Sequence, residues 1–262
     1  MTNCPICNSP SHFFISRKDR FAQEYKYVRC EKCRFLFDED VFLNKKKLQE
    51  KINNIYRKNY FETIDTGWKM RGDIISKRIK LFLKIFRVFK KGKKPDILDY
   101  GGGNGYISSK IGANSNVFYY DRYEKPTCQG NYKVLEKPEK ADIVCAIELA
   151  EHITDIGEWD LLDKLCSSAL IFTTEVSDGI SGNHLKKWTY LNPDAGHISI
   201  YSFRSLYLLA KKYGFFYFFF PSKSFHIFLR SPVLSKINFV KVESGFYSFL
   251  RMLKHIFNKQ TR

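Results

Sequence analysis

The run Asp96-Ile97-Leu98-Asp99-Tyr100-Gly101-Gly102-Gly103-Asn104-Gly105 decides the fold. Its apolar start ends in an acid, and four glycines follow within five residues. A buried strand that enters a glycine-rich turn and then a helix makes a nucleotide site. Glycine takes φ > 0 and lets a ligand approach without a Cβ in the way. The first N–H groups of the helix point into the same space. Spacing sorts the ligands. G-x-G-x-x-G fails, because its third glycine would fall on Tyr106 or on Ser108, depending on frame. G-x-x-x-x-G-K-[ST] does not occur. What fits is D-x-G-x-G-x-G, on Asp99, Gly101, Gly103 and Gly105. A tight turn with no ligand would use the same glycines, so a second element is needed.

Val117-Phe118-Tyr119-Tyr120 supplies it, an apolar run that ends in Asp121. An acid at the end of the second strand is where Rossmann-like sheets grip a ribose diol. A carboxylate accepts both hydroxyl hydrogens and repels a phosphate. The pair of elements resembles the first motifs of class I S-adenosylmethionine (SAM) methyltransferases. The resemblance implies that Asp99, Gly101, Gly103, Gly105 and Asp121 surround SAM. Ala141 to Ile147 then reads as a buried parallel strand. The Glu148-Leu149-Ala150-Glu151-His152-Ile153 that follows resembles the V-L-E-H signature after the fourth strand of many such enzymes. That likeness places Glu148 with the cofactor and Glu151-His152 in an active-site loop.

The rest of the pattern agrees. Tyr106–Ile111 and Glu158–Cys166 read as helices. Tyr132–Leu135 and Ala169–Thr174 read as strands. Phe215–Phe220 and Phe225–Leu229 read as a closing antiparallel pair. The alternation implies an α/β fold, a Rossmann-like doubly wound and mostly parallel sheet. Ser167-Ser168 stands where the family often has Pro-Gly before the fifth strand.

A small zinc ribbon is expected ahead of it. Cys4-Pro5-Ile6-Cys7 and Cys30-Glu31-Lys32-Cys33 form two C-x2-C knuckles with ribbon spacing. Four of the seven cysteines lie in this array, which argues for structural Zn2+ on Cys4, Cys7, Cys30 and Cys33 rather than for disulfides. Four sulfurs close the coordination sphere, so no catalytic water is expected on the ion. Phe13, Phe14, Ile15, Tyr25, Tyr27, Val28, Phe35, Leu36 and Phe37 supply the short strands and small core.

The expected domains are a ribbon over 1–40, a helical cap or linker over 41–92, a SAM-binding domain over 93–232 and a C-terminal amphipathic helix over 233–262. In the linker, Leu43, Leu48, Ile52 and Ile55 have helical spacing. Tyr56, Tyr60, Phe61 and Trp68 make an aromatic stretch that either lines the cofactor site or packs in a core. Ile74 to Lys91 reads as an amphipathic helix with Ile75, Ile79, Phe82, Phe86 and Phe89 on its stripe. Sheet packing and membrane-surface contact are the two uses of such a stripe. Glu243–Lys259 repeats the pattern and would pack, dimerise or lean on a membrane.

The chain has 262 residues, 44% of them hydrophobic and 16% aromatic, enough for a full core. No apolar run approaches a membrane span. Cys4 and Cys7 occupy the place of a signal peptide's basic start and apolar core, so a cytoplasmic location is expected. The net charge of +17 points either to an anionic partner (nucleic acid, a membrane surface, a phosphorylated metabolite) or to lysine spread over solvated faces.

On the acceptor side, the segment from Trp188 to Ser202 mixes aromatics, turn formers and His197 before a helix, Phe203–Tyr213. The layout W-x-Y…GHI…YS…L…YGF resembles a methyltransferase subfamily encoded with sugar and surface-polysaccharide enzymes, many of them with an N-terminal zinc-binding segment. It implies a small sugar or nucleotide-linked acceptor. A hydroxyl acceptor needs a base. His197 is favoured and His152 is the second candidate, with Glu151 or Glu175 orienting the base or the acceptor. His184 is weaker; His12, His226 and His255 read as peripheral. An RNA methyltransferase with a basic ribbon is the alternative, although the loop after the fourth strand lacks the N/D-P-P-[FYW] string. A non-catalytic zinc-ribbon adaptor is the third reading.

Overall fold

The computed structural model describes residues 2–43, 67–89, 93–112, 115–220, 224–230 and 247–248, with backbone alone at 88, 89, 247 and 248. In chain order the elements are β1 Thr2–Asn3, β2 Pro10–Lys18, β3 Glu24–Cys30, β4 Leu36–Asp38, α1 Glu39–Leu43, α2 Trp68–Phe89, β5 Asp96–Tyr100, α3 Tyr106–Ile111, β6 Asn116–Tyr120, β7 Lys133–Val134, β8 Ala141–Ala146, α4 Gly157–Leu165, β9 Cys166–Thr173, α5 Gly182–Lys186, β10 Ser199–Ile200, α6 Phe203–Lys212, β11 Phe215–Phe219, β12 Phe225–Arg230 and β13 Tyr247–Ser248. Two compact units share them. One takes Met1–Thr66, Ala150–Trp159 and Thr174–Lys212; the other takes Gly67–Leu149, Asp160–Thr173 and Tyr213–Arg262. The chain therefore enters each unit three times, and these boundaries differ from the consecutive blocks read from sequence.

The second unit carries the doubly wound sheet, in the order β13-β11-β12-β9-β8-β5-β6-β7. Strands β5 to β9 run parallel, and β12 joins β9 antiparallel with β11 beyond it. The strand interiors explain this. From Ala141 to Ala146 every residue but Asp142 is buried, as expected for a strand covered on both faces. Helix α2 lays Ile75, Ile79, Phe82, Leu83 and Phe86 into a core with Ile97, Val117, Ile143, Ile171 and Ile227. Its stripe is thus spent on the sheet's core, not left for a membrane. Among the described residues no helix is long and apolar enough to cross one.

The first unit has its own antiparallel sheet, β1-β2-β3-β4-β10. Alternation along β3 buries Tyr25 and Tyr27 and exposes Glu24 and Lys26. The N-terminal segment does not end its sheet at residue 40. Ser199 and Ile200 pair with Phe37 and Leu36, and Asp38 N donates to the Ile198 carbonyl at 3.0 Å. The acceptor-side loop therefore supplies a strand to the cysteine-bearing sheet. Phe13, expected in the small core, is 66% exposed; the strand register shifts between Phe13 and Ile15, which breaks the alternation there.

The aromatic stretch before Trp68 and most of the helix over Glu243–Lys259 lie outside the described residues. Tyr247 and Ser248, read as helical from sequence, form a two-residue strand parallel to β11, whose outer backbone groups they pair.

Candidate functional site

The glycine turn leaves β5 and enters α3. Gly105 sits at φ +80°, and a Cβ there would lie 2.8 Å from Pro126 Cβ. At Gly102 a Cβ would lie 2.6 Å from the Tyr119 ring, whose hydroxyl donates to Gly103 O at 2.6 Å. The turn is thus seated directly on β6. Asp99, the last acid before the turn, is 1% exposed. Its Oδ2 accepts from Ser108 Oγ at 2.6 Å and Ser108 N at 3.1 Å, which ties strand to helix. Burial pushes its pKa up to about 6, against the lowering effect of the Ser108 bonds.

Asp121 is half-buried at the end of β6. One carboxylate oxygen accepts from Gly103 N at 2.9 Å, and the other from the N–H groups of Tyr123 and Glu124. After β8, Glu148 holds φ +51°, a left-handed conformation that costs a non-glycine residue. Thr173 Oγ1 accepts from Glu148 N and donates to Glu148 Oε1, both at 2.7 Å. Arg71 Nε lies 3.4 Å from the other Glu148 oxygen. A left-handed turn, a carboxylate for a diol and an acid–guanidinium pair at neighbouring strand ends form a donor set suited to a nucleoside carrying a zwitterion. Arg71 is missed by sequence reading, since nothing in a helical stripe marks which lysine or arginine meets a distant glutamate. Tyr106, which stands where a G-x-G-x-x-G fingerprint would need its third glycine, gives its hydroxyl to Asp73 at 2.7 Å and packs edge-on against Trp68.

In the other unit, Glu151, His152 and His197 come together. One ligand atom from each lies within 4.8 Å of the other two. The imidazoles cross at 72° with centroids 5.3 Å apart. His152 Nδ1 meets Gly196 O at 3.1 Å, and His197 Nδ1 meets Tyr190 O at 2.8 Å. Burial, then the neighbouring His197, push His152 down to about 3, so it is neutral at physiological pH. A neutral ring with so low a pKa is a poor proton acceptor there. Glu151 is fully buried, and its carbonyl accepts from Ile198 N. Tyr190, half-buried against His197, shares a hydrogen bond with Thr174 Oγ1 and accepts one from Glu175 N. The Glu175 side chain itself is exposed.

His184 is exposed and bonds Ser181, and His12 is exposed and pairs with Glu31. His226 is not peripheral. It is fully buried in β12, bonded to Tyr217 Oη at 2.8 Å and stacked on Phe172. A single histidine in an aromatic strand gives no sign of which neighbour will meet it. His255 lies outside the described residues.

Cys4, Cys7, Cys30 and Cys33 gather, with sulfurs 3.5 Å apart in the pairs Cys4–Cys33 and Cys7–Cys30. A tetrahedral zinc ion with Zn–S near 2.3 Å has S···S edges of about 3.8 Å, so the cluster fits one. All seven cysteines are free thiols.

A methyltransferase domain family matches residues 69–217, more than half of the chain. No curated protein matches. Among solved structures, magnesium protoporphyrin IX methyltransferase from Synechocystis PCC 6803 with bound S-adenosylhomocysteine (SAH) is 16% identical, with 72% of this chain and 97% of that one covered and a TM-score of 0.42. An O-methyltransferase family protein from Burkholderia thailandensis is 13% identical over 72% of this chain and 69% of that one, with a TM-score of 0.44. The family match takes in the glycine turn, Asp121, Glu148 and both histidines, and on it the chain belongs to the methyltransferase domain family, as a SAM-dependent methyltransferase.

Proposed function

We propose that the enzyme methylates a hydroxyl of a sugar or nucleotide-linked metabolite used for a surface glycan, in a reducing cytoplasm. The observation that carries the reading is the grouping of His197 with Glu151 and His152, because a hydroxyl acceptor needs its proton taken and an activated sulfonium methyl otherwise needs mainly orientation. SAM brings the activated methyl. Asp121 takes its ribose diol, and Glu148 with Arg71 takes its methionine end. His197 accepts the acceptor's proton, with its Nδ1–H fixed on the Tyr190 carbonyl; Glu151 orients it, and Glu175 serves the acceptor. Cys4, Cys7, Cys30 and Cys33 hold a structural zinc ion that fastens the knuckles of the first sheet.

A pocket of about 300 Å³ on that sheet supports a phosphate-bearing acceptor. Arg29 and Arg34 line it beside Phe13, Phe14 and a Glu31 whose carboxylate is paired with His12, and the Arg29 guanidinium stands 5.7 Å from the Phe14 ring centre. Burial and the charge of Arg34 lower the Arg29 pKa, so an anion between the two would be favoured. The two arginines and two aromatic rings would suit RNA as well.

The test is a methyl-label partition. Purified protein is incubated with methyl-labelled SAM and a host extract, and small metabolites, RNA and protein are separated. Label in the nucleotide-linked fraction is expected. Label in RNA, with binding that falls steeply as salt rises, would replace the glycan reading with the RNA one.

A further inference from the structure

We infer that Glu151, His152 and His197 hold a divalent transition-metal ion of the zinc class, at a site distinct from the four-cysteine cluster. Convergence is the first ground: each residue brings a ligand atom within 4.8 Å of the other two. Side-chain adjustments of about an ångström would close that set to the roughly 3.3 Å edges of a tetrahedron with metal–ligand bonds near 2.0 Å.

The second ground is how the rings are held. Gly196 and Tyr190 offer His152 and His197 carbonyl oxygens, which only accept. Each Nδ1 must therefore carry the hydrogen, and in the neutral ring Nε2 carries the lone pair. An imidazole whose far N–H is donated to a backbone carbonyl is the usual outer-shell arrangement of a metal ligand, since it fixes the tautomer and raises ligand basicity. The carbonyls are themselves fixed. Gly196, at φ +77°, donates to Pro193 O in a 3-10 turn capped by Asn192, and Tyr190 is tethered through its hydroxyl to residues 174 and 175.

The third ground is charge. Glu151 is fully buried, and a buried carboxylate is stabilised by a cation it can coordinate. Two imidazoles and one carboxylate suit zinc-like ions; Mg2+ and Ca2+ prefer oxygen alone. Three protein ligands leave a fourth position for water or an acceptor oxygen. Only the identity of that oxygen rests on the proposed function. An ion bound there would take the His197 lone pair and would lower the pKa of a coordinated acceptor hydroxyl, whose proton would pass to solvent water in place of His197.

The experiment is metal content of the full chain after dialysis against micromolar Zn2+, for wild type and His197→Ala. Wild type is expected to hold one equivalent more than the variant, with unchanged circular dichroism. Cobalt titration of wild type guards against a misfolded variant. It should show one ion with sulfur-to-metal charge transfer and a second with visible ligand-field bands but no such transfer. Equal metal in wild type and variant, or cobalt bound through sulfur alone, would overturn the site. His197 would then keep its place as proton acceptor, so the proposed function would survive that failure. If the site holds its ion but the label partition gives no methylated hydroxyl, the function fails and the metal site stands.

Discussion

Asp99 is the most informative single residue. Its carboxyl is buried, with a pKa near 6 against 3.8 in the unfolded chain. A raised acid binds its proton more tightly in the folded state, so between about pH 4 and 6 the folded state holds more protons and stability falls as pH rises. Two pKa units correspond to roughly 3 kcal/mol. Asp99→Asn removes this dependence. Denaturant unfolding of both proteins at pH 4 and pH 7 should show the variant gaining on wild type by about 2 kcal/mol across that range, the remainder of the effect lying below pH 4; parallel pH profiles would refute the assignment. Gly105 gives a second case. Alanine at φ +80° costs about 1–2 kcal/mol in backbone conformation alone, before the contact with Pro126 is counted. Gly105→Ala should lower the melting temperature and reduce the shift that SAH produces in wild type. A variant with wild-type melting and a full SAH shift would mean the turn is looser than it stands here. Both residues were legible in sequence, because a strand, an acid and spaced glycines are a local pattern. Arg71, Tyr190 and His226 were not, because each acquires its role from partners far along the chain.

At the scale of elements, α2 tests the difference between a packed stripe and a membrane-facing one. Phe86 is 1% exposed in the sheet's core, whereas Leu81 is 41% exposed on the same helix. Phe86→Ala should cost about 3–5 kcal/mol by cavity formation, and Leu81→Lys less than about 0.5 kcal/mol. Equilibrium unfolding measures both; a large loss at Leu81 would show that its face is covered by something else. The helix and the parallel strands were readable because their apolar periods, near 3.6 residues and continuous, state which faces are buried. Strand β10 was not. Ser199-Ile200 is two residues long, too short for any period, and only the open edge of β4 makes it a strand. A structured loop was expected there, and a piece of the first sheet was found.

For the whole molecule, the interleaving of the two units matters most. Removing residues 2–43 would take away not an appendage but the sheet that orders the segment before α6. Hydrogen exchange over residues 185–202 should lose its protection in that deletion, because Ser199 and Ile200 lose Phe37 and Leu36, and the His197 carbonyl loses the Tyr27 hydroxyl. Unchanged protection would mean that the segment is ordered without the N-terminal strands. The pairing of β4 with β10 also sets a timetable for synthesis. About 160 residues separate the two strands, and at about 5–20 residues per second the ribosome needs roughly 8–30 s to make them. All four cysteines have emerged long before, so the knuckles can take their metal early. The far edge of β4 must wait, unpaired, for a strand still to be translated. During that interval the nascent chain presents a template for pairing with another copy of itself, and slower elongation or a missing chaperone should raise aggregation during synthesis far more than it harms the finished protein.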